Sequence, residues 1–185
     1  MIDVGRPVKD IQIDSNTSIE KIFQELSQSG GFESVNLSDG LEILTEMIPD
    51  DKCLKFISFV GAIVSTGLRG IIKDMMKNKW FDVGITTCGA LDHDIARHFS
   101  HYNEGSFTMD DMELANQHIH RLGNVLVPMD SYGPLIEEKM TAFLEEEYAA
   151  GVREMNTAEI CKMIGKHLGE DSFLYWAYKN DISIV

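Results

Sequence analysis

The stretch FISFVGAIVSTGLRGIIKDMMKNKWFDVGITTCGALDHDIARHF, residues 56–99, decides the fold predicted for this chain. Two short apolar runs, residues 56–60 and 81–86, are each followed by small residues and then by apolar residues at helical spacing. Strand, loop and helix, repeated twice, is the pattern of a βαβα unit with parallel strands. The sequence therefore predicts an α/β fold with a doubly wound, mainly parallel sheet.

The loops after these two strands are the first candidates for a functional site. Because parallel strands end at the same edge of a sheet, both loops should open at the edge where open α/β sheets bind their ligands. Tight turns between a strand and a helix have the same composition, so spacing alone leaves both interpretations open. The candidate residues are Gly61, Ala62, Thr87, Cys88 and Gly89.

Composition restricts the class of protein. The chain has 185 residues, of which 44% are hydrophobic and 25% charged, as expected for one soluble globular domain. A formal net charge of −14 argues against binding along a nucleic-acid backbone, which needs a basic surface. The acidity suits a cationic small molecule or a basic protein partner, although acidic surfaces more often serve solubility.

Neither a membrane segment nor a cysteine framework is predicted. The apolar runs are far shorter than the roughly 20 residues that span a bilayer, and the N-terminus lacks a signal-peptide pattern. We therefore expect a cytoplasmic protein. Cys53, Cys88 and Cys161 are widely spaced without a CxxC motif, which predicts reduced thiols and neither a disulfide framework nor a zinc site.

The N-terminal residues 1–50 are predicted to form an arm and two helices, and residues 51–185 the α/β part of a single domain. Alternating apolar residues mark the arm over residues 1–16. Thr17 and Glu20 suggest a capping box for the first helix, which Gly30 ends. The second helix is expected over residues 38–48.

Further elements follow the central unit. A short acidic helix is expected over residues 110–117, and a third buried strand over residues 124–127. Pro134 marks the first turn of a long helix, and Asn156 with Glu159 forms a second capping box.

The last residues of the sequence predict a parallel strand without a following crossover helix. An aromatic helix over residues 172–179 precedes an apolar run, residues 182–185, that predicts a fourth parallel strand. A parallel strand is normally covered on both faces by crossover helices. We therefore expect a sheet that is incomplete at the C-terminus.

Five segments in this order resemble deoxyhypusine synthases of the archaeal kind, over their N-terminal half only. Together they cover nearly the whole chain and are more specific than a single glycine motif. They are SGGF at residues 29–32, FVGAIVSTGLRGII at 59–72, FDVGITTCGALDHDIAR at 81–97, HIHRLGNVLVP at 118–128 and YWAYKNDISIV at 175–185.

The resemblance implies a homotetrameric, NAD-dependent aminobutyltransferase of hypusine biosynthesis. Members of this family use spermidine and the precursor of translation initiation factor 5A, passing an aminobutyl group through an active-site lysine. That lysine follows the equivalent of Val185, so no catalytic residue is assigned here. We expect the 185-residue chain to be inactive alone, as a truncated or cleaved product or as one subunit of a split enzyme.

The resemblance also implies which residues contact the cofactor. Gly61 and Ala62 stand where eukaryotic members have serine and asparagine, which predicts contact through the backbone. Cys88 stands where those members have alanine, which favours a small spacer. The implied NAD-binding residues are Gly61, Ala62, Ile63, Val64, Ser65, Thr87, Cys88 and Gly89.

Asp92 and His93 are implied to bind the substrate. They replace a pair of glutamates that lies near the nicotinamide and the amine in the family. Asp92 keeps the negative charge that attracts an ammonium group, whereas His93 can donate or accept a hydrogen bond.

Three alternatives to the synthase interpretation remain: a metal site, a catalytic thiolate and a regulatory chain. A metal site built from Asp92, His93, Asp94, His98 and His101 is disfavoured, because the histidines are five and three positions apart rather than four. A catalytic thiolate at Cys88 lacks an identifiable base. A noncatalytic chain that regulates a full-length synthase would keep the family's packing surfaces without its chemistry.

Overall fold

The computed structural model describes residues 5–185. They divide into two compact units between Cys53 and Leu54. In the first unit, α1 (Ile19–Ser29) packs against α2 (Ser34–Met47). Residues 5–16 have no regular secondary structure, and residues 1–4 of the predicted arm lie outside the described residues.

The first helix begins at a different cap from the predicted one. The Ser18 hydroxyl accepts from the Lys21 amide at 3.1 Å, while the Thr17 hydroxyl accepts from the Asp14 amide. The predicted capping box of Thr17 with Glu20 is therefore wrong, because Thr17 already closes the preceding turn. Gly30 ends α1 in the left-handed conformation, as predicted, with φ 68°.

The second unit contains the predicted parallel sheet. In chain order, β1 (Phe56–Phe59) leads through α3 (Gly61–Val64) and α4 (Arg69–Lys77) to β2 (Val83–Thr86), which α5 (Cys88–Phe99) follows. Both strands are parallel and in register from Phe56 with Val83 to Phe59 with Thr86. The α/β fold with parallel strands is confirmed.

A small antiparallel sheet follows α5, and the third buried strand predicted over residues 124–127 belongs to this sheet rather than to the parallel one. Its strands β3 (Asn103–Glu104), β4 (Ile119–Leu122) and β5 (Val125–Pro128) lie in the order β3-β5-β4, with α6 (Asp111–Asn116) before β4. The strand is present as β5, but it pairs antiparallel with β4 because residues 123 and 124 form a two-residue hairpin turn. Gly123 has φ 65°, which such a turn favours.

Three helices and one strand complete the unit. They are α7 (Gly133–Ala149), α8 (Thr157–His167), α9 (Phe173–Lys179) and β6 (Ser183–Ile184). β6 pairs with β2 in parallel, as predicted, and gives the sheet order β1-β2-β6. The predicted capping box of Asn156 and Glu159 is present. No helix among residues 5–185 is both long and apolar enough to cross a membrane.

Close packing of helices on one face of the parallel sheet builds the core. At Gly165 of α8 a side chain would collide with the Leu174 carbonyl of α9, so only glycine permits this approach. Buried side chains of α4, α8, α9 and β6 meet here, and Gly84 faces the same side. They include Met76, Ile164, Phe173 and Ile184.

Within residues 54–185, no helix covers the opposite face of the parallel sheet. The exposed fractions are 55% for Phe56, 65% for Val60, 43% for Ile85 and 45% for Val185. Parallel sheets are as a rule buried on both faces. The described part of this unit therefore supplies one of the two helical layers that such a sheet requires.

Candidate functional site

The two predicted turns lie side by side at the carboxyl edge of the parallel sheet. The Gly61 amide donates to Thr87 Oγ1 at 3.0 Å. A Cβ atom on Gly61 would lie 2.7 Å from both the Ala90 nitrogen and the Gly89 carbonyl carbon. Glycine at position 61 therefore makes room for the neighbouring turn, which holds the two turns together.

Only some residues of the first turn, residues 61–65, are exposed to solvent. Ala62 is exposed and Ile63 is partly exposed, whereas Val64 and Ser65 are buried. The Ser65 hydroxyl donates to the Ala62 carbonyl at 2.7 Å, and Arg97 of α5 donates to the Val64 carbonyl at 3.0 Å. The Val64 carbonyl and the Ser65 hydroxyl thus support the turn, while Ala62 lines the edge.

The second turn leaves the start of α5 open. Because the Thr87 hydroxyl accepts from Gly61, it does not cap α5, and the first N–H groups of a helix have no partner within it. A Cβ atom on Gly89 would lie 3.9 Å from its nearest neighbours, Gly61 Cα and Thr87 Oγ1, so this position has room for a ligand. A helix start of this kind favours an anion such as a phosphate group.

Asp92 lies one helical turn beyond this opening. The Tyr132 hydroxyl donates to Asp92 Oδ2 at 3.2 Å, and the Cys88 thiol lies 3.8 Å from Oδ1. The Asp92 charge, together with burial, raises the pKa of the Cys88 thiol. Burial and the same carboxylate raise the pKa of Tyr132 to about 12. The protonated thiol of Cys88 and the protonated phenol of Tyr132 are therefore favoured. This environment disfavours a nucleophilic thiolate at Cys88.

His93 is held between two tyrosine rings. Its Nδ1 atom lies 2.9 Å from the Tyr102 hydroxyl, and the ring centroids of His93 and Tyr132 are 5.3 Å apart. Burial lowers the pKa of His93, although the Asp92 charge opposes this effect. The imidazole is therefore neutral near pH 7.

The other acidic and histidine side chains of α5 have separate partners. Asp94 is fully buried and accepts from Arg69 Nε at 2.6 Å and from the Ser172 hydroxyl at 2.7 Å. His98 Nδ1 lies 2.6 Å from an Asp171 carboxylate oxygen. These side chains join α4, α5 and the start of α9, and they do not converge with His93 on one point.

A cavity of about 370 Å³ adjoins His93. Neither the cavity nor its lining is predicted from the sequence, because the lining depends on the antiparallel hairpin. A glycine in a two-residue turn between apolar runs, as at residues 119–128, is the signal that identifies such a hairpin. The cavity is lined by His93, His120, Arg121, Leu122, Val127 and Tyr132.

One group of possible metal ligands occurs within residues 5–185, away from these turns. Atoms of Glu146, Glu147 and His167 lie within 4.8 Å of one another. Lys166 Nζ already contacts Glu147 at 2.8 Å and Glu146 at 3.4 Å. The lysine thus offsets the negative charge that a cation would require.

Comparison with known proteins assigns the family. The family model described as deoxyhypusine synthase matches residues 21–185. The chain belongs to the deoxyhypusine synthase family. Three archaeal relatives, each named "Probable deoxyhypusine synthase", are 47% identical in Thermoplasma volcanium, 45% in Picrophilus torridus and 42% in Thermoplasma acidophilum. Matches to these three cover 96–98% of this chain, which confirms the resemblance predicted from the five segments.

The comparisons also bear on length and fold. The chain spans 58% of the Thermoplasma volcanium relative and 57% of the Picrophilus torridus relative. A crystal structure assigned to a deoxyhypusine synthase of Entamoeba histolytica matches with a TM-score of 0.64 at 19% identity. That match covers 96% of this chain and 61% of the other, and it supports the α/β fold alone.

Proposed function

We propose that this chain provides the N-terminal part of a deoxyhypusine synthase. The reaction is the NAD-dependent transfer of the aminobutyl group of spermidine to a lysine of the translation initiation factor 5A precursor. The working enzyme is a cytoplasmic homotetramer. Family membership and the arrangement of the two turns support this proposal.

The contact between Gly61 and Thr87 is the observation that carries the cofactor assignment. It places an exposed residue, Ala62, beside the uncapped start of α5 at the edge where α/β sheets bind nucleotides. We assign Ala62, Cys88 and Gly89 to direct contact with NAD, with backbone amides at the start of α5 donating hydrogen bonds to a phosphate oxygen. Ile63 lies at the border, while Gly61, Val64, Ser65 and Thr87 hold the two turns in place. Bound NAD would supply the hydride acceptor.

Asp92 is the group that attracts the amine. Its carboxylate is fixed by the Tyr132 hydroxyl, which leaves its remaining acceptor sites to an ammonium group. A net charge of −14 also favours the approach of a polyamine.

The exposed face of the parallel sheet supports the proposal that a further polypeptide segment packs on it. Within residues 54–185, the helices packed on this sheet lie on one face, and in the strand order β1-β2-β6 no strand of these residues pairs with the outer edge of β1. In a doubly wound sheet the chain returns to the first strand and covers the second face. We propose that the part of the family fold missing from this match does so here, in the same polypeptide or as a separate chain.

The experiment mixes residues 1–185 with a polypeptide carrying the unmatched C-terminal part of the Thermoplasma volcanium relative. We expect no turnover of spermidine by residues 1–185 alone, and NAD-dependent cleavage by the mixture or by a fusion of the two. An Asp92→Asn variant should lose most of this activity, whereas Asp111→Asn should retain it. Silence of both the mixture and the fusion would refute the enzyme assignment, and altered turnover of the full-length relative alone would favour a regulatory chain.

A further inference from the structure

Arg97, in the last turn of α5, is a partly buried cation without a carboxylate partner. Among residues 5–185, Arg69 and Arg121 pair with aspartates, whereas no carboxylate lies within ion-pair distance of Arg97. Burial, together with the nearby Arg69 charge, lowers the pKa of Arg97, so its charge is held there at a cost in free energy. In a chain with a net charge of −14, an arginine placed in this way must have another partner.

The partners of Arg97 are main-chain oxygens. One terminal nitrogen donates to the Val64 carbonyl at 3.0 Å and also to the Thr66 carbonyl. Val64 is the last residue of α3, and the last carbonyls of a helix have no partner within it and carry partial negative charge. The guanidinium therefore stabilises the end of the first turn.

α5 consequently holds the first turn at two points. Near the start of α5, the Gly61 amide donates to Thr87 Oγ1 at 3.0 Å. At the end of α5, Arg97 holds the Val64 carbonyl. Ala62 lies between these two attachments and is exposed to solvent. Without Arg97, α5 would hold the turn through Gly61 alone, and the position of Ala62 would be less restricted.

We propose that Arg97 is a positioning residue for NAD: it fixes the first turn at the distance from α5 at which Ala62 and Gly89 both contact the dinucleotide. This inference rests on the proposed function, because it assumes that NAD binds between the two turns. Arg97 lies nine positions after Cys88, or about 13 Å along α5, and acts through the backbone of Val64.

The shape of the side chain matters as well as its charge. Arg97 Cζ lies 6.0 Å from the centroid of the Tyr102 ring, within reach of a cation–π contact. A planar guanidinium contacts an aromatic ring and two carbonyl oxygens together, whereas an ammonium group is a compact charge on a flexible stem. Lysine at position 97 should therefore replace arginine only in part.

NAD affinity is measured by isothermal titration calorimetry on the complex of residues 1–185 with the C-terminal polypeptide. Arg97→Met keeps much of the apolar stem and loses the donors, so it should weaken NAD binding about tenfold or more. Arg97→Lys should recover part of this loss. The control is Arg153→Met, since Arg153 also donates to two main-chain carbonyls, those of Tyr148 and Val152 at 2.7 and 2.8 Å, and should leave NAD affinity unchanged.

Hydrogen exchange in the same complex measures the position of the turn without NAD. The Ser65 and Thr66 amides bond to carbonyls within the turn, so Arg97→Met should speed their exchange and leave that of the β2 amides unchanged. Where Arg97→Met does not assemble, Arg97→Gln replaces it, because glutamine keeps an N–H donor without the charge. Arg97→Gln should weaken NAD binding at least about threefold.

Equal NAD affinity of the wild type and the Arg97→Met or Arg97→Gln complex would overturn the positioning role, even with a lower urea midpoint, because Arg97 would then serve stability alone. Unchanged exchange of the turn amides, or an equal loss of affinity in Arg153→Met, would also overturn it. Absence of NAD binding by the wild-type complex would refute the proposed function and this inference together. Equal binding by wild type and variant refutes the inference alone.

Discussion

Replacement of Arg69 by methionine should be among the most damaging single changes to residues 54–185. Arg69 donates to the fully buried Asp94 through Nε at 2.6 Å and also contacts Asp171 at 3.3 Å. Methionine keeps much of the apolar stem but leaves the Asp94 carboxylate without its cation. The Ser172 hydroxyl and the Leu174 amide still donate to it, at 2.7 and 3.0 Å.

The expected loss follows from the burial of Asp94. Removing one partner of a buried ion pair costs about 3–5 kcal/mol, because a buried charge is left uncompensated. Burial already raises the pKa of Asp94 against the opposing effect of Arg69, so the variant should protonate this carboxyl more readily. At an m value of about 2 kcal/mol/M in urea, the midpoint should fall by about 2 M.

Tryptophan fluorescence measures this unfolding selectively, since Trp80 and Trp176 both belong to the second unit. Lys162→Met removes an exposed ion pair with Asp181 and should leave the midpoint unchanged. Adding Asp94→Asn to Arg69→Met should recover part of the loss, because no buried charge then remains. A loss below about 1 kcal/mol for Arg69→Met would refute this account of the network.

Three further predictions concern the turns, His93 and a helix cap. Gly61→Ala should destabilise the second unit by about 1–3 kcal/mol in urea unfolding, because its Cβ would meet backbone atoms at 2.7 Å. Gly89→Ala should be tolerated, and equal effects of the two substitutions would contradict this packing. Since burial lowers the pKa of His93, its unfolded form binds more protons, so its contribution to stability is complete above about pH 6.5 and declines as the pH falls towards the folded pKa. His93→Gln should flatten this slope in urea midpoints measured from roughly pH 5 to 7, and an unchanged slope would contradict the assignment. Asn156→Ala should cost about 1 kcal/mol in urea unfolding by removing the capping box, and no change would contradict that role.

The parts predicted correctly from the sequence depend on local patterns. The first two strands and their helices repeat apolar residues at strand and helix spacing within residues 56–99, so their type and pairing follow from periodicity. The hairpin does not follow from the apolar run of residues 124–127 taken alone, because that run has the pattern of any buried strand and only Gly123 marks the turn. The Thr17 cap was wrong by one residue, since neighbouring Ser18 is an equally good cap and local pattern does not separate them.

The two turns of the site could be predicted from the sequence, whereas the partners of its buried side chains could not. Gly61 and Gly89 follow parallel strands, and a general rule for α/β sheets places such turns together. The partners of Asp94 are 25 and 78 positions away, and the partner of Asp92 is 40 positions away. No spacing rule links residues so distant in sequence, so Tyr132 and the Arg69 network emerge only from the folded chain.

Amide chemical-shift mapping of NAD tests the central claim most directly. It is measured on isotope-labelled residues 1–185 bound to the C-terminal polypeptide used above. We expect the largest shifts at Ala62, Cys88 and Gly89 and small shifts at the exposed helix α6. Saturable NAD binding whose largest shifts lie away from both turns, or no binding by an assembled complex, would contradict it.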